Sequence, residues 1–145
     1  MTDGTIWVIH AGRNDEADDL FREQGLIVLG WDDMADLAQL PPTREAFKAA
    51  LAAAYPSYKP GAIPVAAGQL YRFVHEMKPG DTILYPTRFD SQIHIGRVTG
   101  EYRHDPVTDA SFPHQRPVEW VRAVPRSVFS KCSISQSVVG MAGRW

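Results

Sequence analysis

The chain has 145 residues, 44% of them apolar and 22% charged, and a single cysteine, Cys132. That is enough chain for one folded domain, residues 1–145, around a buried core, and one cysteine excludes an internal disulfide or a cysteine-built zinc site. The net charge of −2 conceals a division: ten Asp or Glu against four Lys or Arg up to Tyr55, then eleven Lys or Arg against seven Asp or Glu, so an anionic partner would meet the second part first unless folding mixes the two.

"TIWVIHAGR" predicts a buried strand from Ile6 to Ile9. Asn14 is placed to cap a helix with Asp15, Glu16, Asp18 and Asp19 in its first turn and Ala17, Leu20 and Phe21 on its buried side. Gly25 ends it, and "LIVLGW" follows as a strand apolar on both faces, with Trp31 at its exit. Thr43 is the predicted N-cap of a second helix that carries Phe47, Leu51, Ala54 and Tyr55 and stops at Pro56. The clearest periodicity comes next: Ala66, Leu70, Phe73, Val74 and Met77 share one helical face, while Gln69, Arg72 and Glu76 share another.

"KPGD" makes a tight turn into the strand Thr82 to Leu84. "HIGRVTG", "PVEWVRAV" and "SVVGMAG" are further strands, and the polar "YRHDPVTDASFPHQRP" between them reads as a surface loop. This order predicts an α+β fold: a small curved antiparallel or mixed, barrel-like sheet flanked by helices. No apolar run approaches the ~18 residues of a membrane span, and the opening residues lack a secretory signal, so a cytoplasmic protein is expected.

Chemistry-bearing motifs are scarce. The histidines show no HxxxH or HExxH spacing, and there is no Walker loop, GxGxxG turn or GxSxG elbow. "EMK", Glu76 to Lys78, matches half of a nuclease motif but ends a helix, whereas the nuclease pair must converge from a strand. No catalytic residue, metal or cofactor is expected.

What stands out is the aromatic residue at a strand end with polar company: Trp7 with His10, Trp31 with Asp32, Tyr85 with Thr87 and Arg88. Each ring either lids the core or offers a flat face to a planar heterocycle whose edges the polar groups would bond.

"MKPGDTILYPTRFDSQIHIGRVTGEYRHDP" followed by "RPVEWVRAV" resembles the EVE domain of the PUA-like superfamily. Together with "AGQLYRFVHEM" and the opening "IWVIHAGR", it is similar to the N-terminal domain found ahead of Mrr-type modification-dependent restriction nucleases. The resemblance spans about Ile6 to Phe129. It implies a PUA-like barrel that binds DNA bearing a modified base, a methylated cytosine or adenine, without catalysis, any cleavage belonging to a fused or separate nuclease. Carried over by position, Trp7, Trp31 and Tyr85 would be pocket aromatics, with His10 and Thr87 as edge contacts. EVE domains often place a histidine and serine where this chain has Pro86 and Thr87. On this reading Pro86 ends the pairing of its strand, and Arg72, Arg88, Arg97, Arg103, Arg116 and Lys131 are candidate contacts to the nucleic-acid backbone or, alternatively, part of a solvated surface. A sensor of a free nucleotide or small heterocycle, and a protein-interaction module, are the competing readings.

Overall fold

A computed structural model of the chain describes residues 5–11, 16–87, 90–127 and 138–141. The fold is α+β: a curled mixed sheet with helices packed against it, as the element order predicts. Strand β1, Ile6–Ile9, is followed by the short helix α1, Asp18–Arg22, and by strand β2, Leu26–Leu29, whose four side chains are all buried. Gly25 joins them at φ +67°, a left-handed conformation that glycine takes without strain. Helix α2, Arg44–Ala54, starts at Thr43, whose Oγ1 accepts from the Ala46 N–H at 3.2 Å. Helix α3, Ala62–Tyr71, buries Ala66, Ala67 and Leu70.

The periodicity through Met77 predicts continued α-helix, but residues Arg72–Glu76 form a π turn. The cause lies elsewhere in the sequence. Met77 N–H donates to Arg72 O at 2.8 Å, and the Phe73 and Met77 carbonyls accept from the Arg116 guanidinium at 2.9 and 2.8 Å. A side chain inserted into the helical ladder widens the turn.

Strands β3, Thr82–Pro86, β4, Gln92–Val98, β5, Arg103–His104, β6, His114–Pro125, and β7, Val138–Met141, complete the described elements. The strand order is β2-β6-β4-β3-β1-β7, with β5 also on β6. β1 runs parallel to both β3 and β7, and the remaining pairs are antiparallel. The long β6 carries the curl: its first residues pair with β2 and β5, and from Val118 onward it pairs with β4. The β4–β6 register shifts between Ile95 and Gly96, where a Cβ on Gly96 would lie 2.6 Å from Trp120 Cε3. Glycine there lets the indole lie against the β4 backbone.

One expectation is corrected. The stretch read as a surface loop supplies β5 and the start of β6, and Pro113 through Arg116 are buried. Polar side chains hid this strand because His114, Gln115 and Arg116 are bonded internally instead of facing solvent. Pro86 is the last residue of β3 and of its registered pairing with β4. Thr87 N–H donates to Gln92 O at 3.2 Å, so the adjacent Pro86–Ile93 pair is the non-hydrogen-bonded kind and the missing N–H breaks no rung to β4. Among the described residues no helix is long and apolar enough to cross a membrane. Cys132 and the proposed Asn14 cap lie outside the described residues.

Candidate functional site

The three rings read as one pocket are all buried, and the hollow at Trp31 is lined by neither Trp7 nor Tyr85. Trp7 sits in β1 opposite Ile83 and is buried, its Nε1 donating to Asp81 Oδ2 at 2.9 Å. Tyr85 is fully buried; its hydroxyl donates to Asp18 Oδ1 at 2.6 Å, and its ring packs 4.7 Å from Phe21 and 6.0 Å from Trp120. Both are core rings, Tyr85 covered by α1 and by β6 and Trp7 within the sheet beside the turn that carries Asp81. Thr87 is buried with its backbone paired to Gln92, and His10 is half-buried at the end of β1. Neither lines the hollow described next.

Trp31, itself only 3% exposed, borders a hollow lined by described residues. A concavity of about 300 Å³ is walled by Glu16, Gly30, Trp31, Asp32, Ser111 and Phe112. Two aromatic side chains, two carboxylates and a hydroxyl thus converge from three separate stretches: the entry to α1, the exit of β2 and the entry to β6.

Local bonds fix each wall. Trp31 has φ +46°, a left-handed backbone that costs a non-glycine residue energy and persists only where its surroundings enforce it. Its carbonyl accepts from Met34 N–H at 2.9 Å and pairs with His114 Nε2 at 3.1 Å, and its Nε1 donates to the Tyr58 hydroxyl at 3.0 Å. Opposite, Asp109 Oδ1 accepts from Ser111 N–H and Phe112 N–H at 2.9 and 3.1 Å, and the Phe112 carbonyl accepts from Gln115 Nε2 at 3.3 Å. Asp109 therefore shapes the loop that presents the Phe112 ring.

Behind the hollow runs a relay. Leu37 N–H donates to the Tyr102 hydroxyl at 3.1 Å, Tyr102 bonds His114 Nδ1 at 2.8 Å, and the Tyr102 and His114 rings stack at 5.9 Å. With the Trp31 carbonyl able only to accept, His114 carries its proton on Nε2 and accepts at Nδ1. Burial, reinforced by the charge of His104, pushes the imidazole down to about 4 although its bond to Trp31 opposes this. His114 is neutral at pH 7 and pins the Trp31 backbone as an uncharged donor.

The candidate backbone contacts divide. Arg97 on β4 and Arg103 on β5 are exposed, Arg103 lying one bond from the hollow's support through its Nε to Gln115 Oε1 at 3.4 Å. Arg72 is half-buried on the π turn. Arg116 is 1% exposed and spends its terminal nitrogens on the carbonyls of Phe73, Met77 and Gly100, so it is a structural clamp rather than a phosphate contact. Arg88 and Lys131 lie outside the described residues.

Sequence reasoning missed Phe112, Ser111 and Glu16 as walls. The available signal was a lone aromatic in a polar loop after "DAS", where an aspartate bonds the backbone two and three residues ahead. Among the described residues no group of three or more His, Cys, Asp or Glu side chains is placed to hold a metal ion. Residues 7–139 match the family described as Domain of unknown function (DUF8426). No curated protein matches the chain.

Proposed function

We propose that this chain, which belongs to the DUF8426 family, is a non-catalytic reader of modified DNA that takes a flipped base into the hollow between Trp31 and Phe112. The observation that carries the reading is the pairing of two aromatic walls with carboxylates in a space of about 300 Å³, the small end of the ~300–1,000 Å³ range of ligand pockets. A base stacked on an aromatic side chain gains ~1–3 kcal/mol, comparable to the few kcal/mol that flipping costs. The carboxylates set the edge chemistry. Asp32 and Glu16 accept from N–H groups and repel carbonyl oxygens, which favours the exocyclic amine of cytosine or adenine over the carbonyl at the equivalent edge of thymine or guanine. A 5-methylcytosine keeps that amine and adds a methyl group for the aromatic walls, a gain of under ~1 kcal/mol. Such a module would supply specificity to a restriction or defence nuclease carried on another domain or partner.

The same carboxylates favour a second reading, a sensor of a free amine-bearing heterocycle, because an acidic mouth does not attract phosphate.

The test is a titration of duplexes bearing 5-methylcytosine, N6-methyladenine or no modification, with Asp32→Asn and Phe112→Ala beside Trp31→Ala in case the last loses its fold. Phe112→Ala is expected to weaken the modified duplex by about tenfold, matching one lost stack. Equal affinity of the wild type for modified and plain duplexes would end the reading, and nucleoside binding without duplex binding would favour the sensor.

A further inference from the structure

Among the described residues, four buried side-chain atoms have no hydrogen-bond partner: Gln69 Oε1, Arg72 Nε, His75 Nε2 and Arg116 Nε. The first three recur every third residue along α3 and its π turn, so the unmet polar groups gather on one region of one element. The Arg72 side chain makes no hydrogen bond or ion pair with a described residue, and both burial and the neighbouring charge of Arg44 make its protonated form less favourable.

The neighbour comes very close. A Cβ built on Gly68 would stand 3.0 Å from Arg44 Nη1 and 3.5 Å from Arg72 Nη1, so these two nitrogens lie within 6.5 Å (3.0 plus 3.5) of each other. Arg44 is held there by Glu76, which accepts from its Nη2 at 3.0 Å, and by the Tyr71 ring 5.0 Å beneath its guanidinium carbon. Glu76 is one carboxylate against two guanidiniums, which leaves the pair net positive. The Arg44 side chain is 42% exposed, so the pair is open to solvent on its side.

We infer that Arg44 and Arg72, meeting over the bare backbone of Gly68, form a clamp for a phosphate group. Two like charges with one shared counter-charge are stabilised by an anion between them. A tetrahedral phosphate offers oxygens in divergent directions, and charge-assisted N–H···O bonds of ~2.7–2.9 Å to each guanidinium span the separation. A planar carboxylate matches one guanidinium fork and leaves the other unanswered. Gly68 matters because any side chain would occupy the space that both guanidiniums border. None of these residues lines the hollow at Trp31, so the clamp stands without the base-reading proposal. The phosphate belongs either to a nucleic-acid backbone or to a free phosphorylated compound.

The experiment is thermal unfolding of the full chain in sodium phosphate against sodium chloride at matched pH and ionic strength. Phosphate is expected to raise the Tm of the wild type, and Arg72→Gln and Gly68→Ala each to weaken the fitted phosphate affinity about tenfold, the effect of one lost charged hydrogen bond. Gly68→Ala guards against misfolding, since alanine is the better helix former and its Cβ meets only the side-chain ends of Arg44 and Arg72. Lys59→Gln, at an exposed cation away from the clamp, should leave the response intact. Repeating the titration with unmodified duplex DNA separates the sources: a duplex that displaces phosphate assigns a backbone diester, and one that does not assigns a free phosphate compound. No stabilisation beyond that of chloride, or a response retained in both variants, would overturn the clamp. Asp32→Asn and Phe112→Ala should not alter the phosphate response, so the two proposals fail separately.

Discussion

One carboxylate, that of Asp81, closes the turn ahead of β3 and ties the first strand to it. Its Oδ2 accepts from Lys78 N–H at 3.0 Å and from Trp7 Nε1 at 2.9 Å, and its Oδ1 accepts from Thr5 N–H at 3.2 Å. Asp81→Ala leaves a buried indole N–H and turn amides without an acceptor, and is expected to cost about 2–3 kcal/mol in urea unfolding; a loss below about 0.5 kcal/mol would mean the buried donors find other partners. "KPGD" announces the turn, but nothing local announces that its aspartate also serves a tryptophan 74 positions earlier. His114 offers a test in pH. Its folded value of about 4 lies below the ordinary 6.5, so the unfolded chain takes up the proton first as acid is added. Stability from this residue is therefore full above pH ~6.5, falls between ~6.5 and ~4, and levels off below, by roughly 3 kcal/mol in all. The groups that bear on it are His104, Asp36 and Asp32. Unfolding free energies measured from pH 7 to 4 should fall more steeply for the wild type than for His114→Gln, whose side chain does not titrate; parallel curves would show that His114 is not buried neutral.

At the scale of elements, short apolar strands were legible and polar ones were not. β1 follows from "IWVI" and β2 from "LIVL" because each is an unbroken apolar run, β2 buried on both faces and β1 on one with the other half-buried. The capped start of α2 was readable in Thr43 for the same local reason. The start of β6 was hidden because its buried side chains are a histidine, a glutamine and an arginine, each bonded to a partner remote in sequence or to a carbonyl. The π turn was hidden with it. Arg116 joins the two: Nη1 takes the carbonyls of Phe73 and Met77, and Nη2 takes that of Gly100 at 2.9 Å, binding the end of α3 to the link between β4 and β5. A lysine ammonium cannot reproduce a planar fork that reaches three carbonyls. Arg116→Lys is expected to lose about 2–3 kcal/mol and to speed amide exchange of Met77 selectively; wild-type exchange there would show that the π turn stands without the clamp. The same remoteness explains the site. Trp31 was visible as a strand-end aromatic, whereas Phe112 became a wall only through β2–β6 pairing, which brings Leu29 opposite His114.

Over the whole molecule the division of charge survives folding in part, and it separates the two proposed contacts of a nucleic acid. The hollow takes its carboxylates, Glu16 and Asp32, from the acidic first part and its Phe112 wall from the basic second part. Among the described residues of the basic second part, the exposed arginines lie on the sheet: Arg97 on β4, Arg103 on β5, Arg122 on β6 and Arg126 just beyond it. Arg97 faces Glu119 across the ladder, a counter-charge that competes with an anion, while Arg103 faces Gln115, has Asp105 nearby and adjoins the support of Phe112 through Gln115. Backbone contacts and base contacts answer to different variables, the first to salt and the second to the identity of the base. For a DNA reader, log K should fall linearly with log salt, and Arg103→Gln should reduce the magnitude of that slope by ~0.9 for its one phosphate while preserving the order of preference among bases. Asp32→Asn should keep the slope and narrow the gap between amine-bearing and carbonyl-bearing bases, because an amide both donates and accepts. A sensor of a free uncharged heterocycle predicts a slope near zero and no response to Arg103→Gln. The pair of slopes and preferences therefore distinguishes a reader from a sensor on the same pocket, and a slope unchanged in Arg103→Gln alongside tight duplex binding would move the backbone contact off β5.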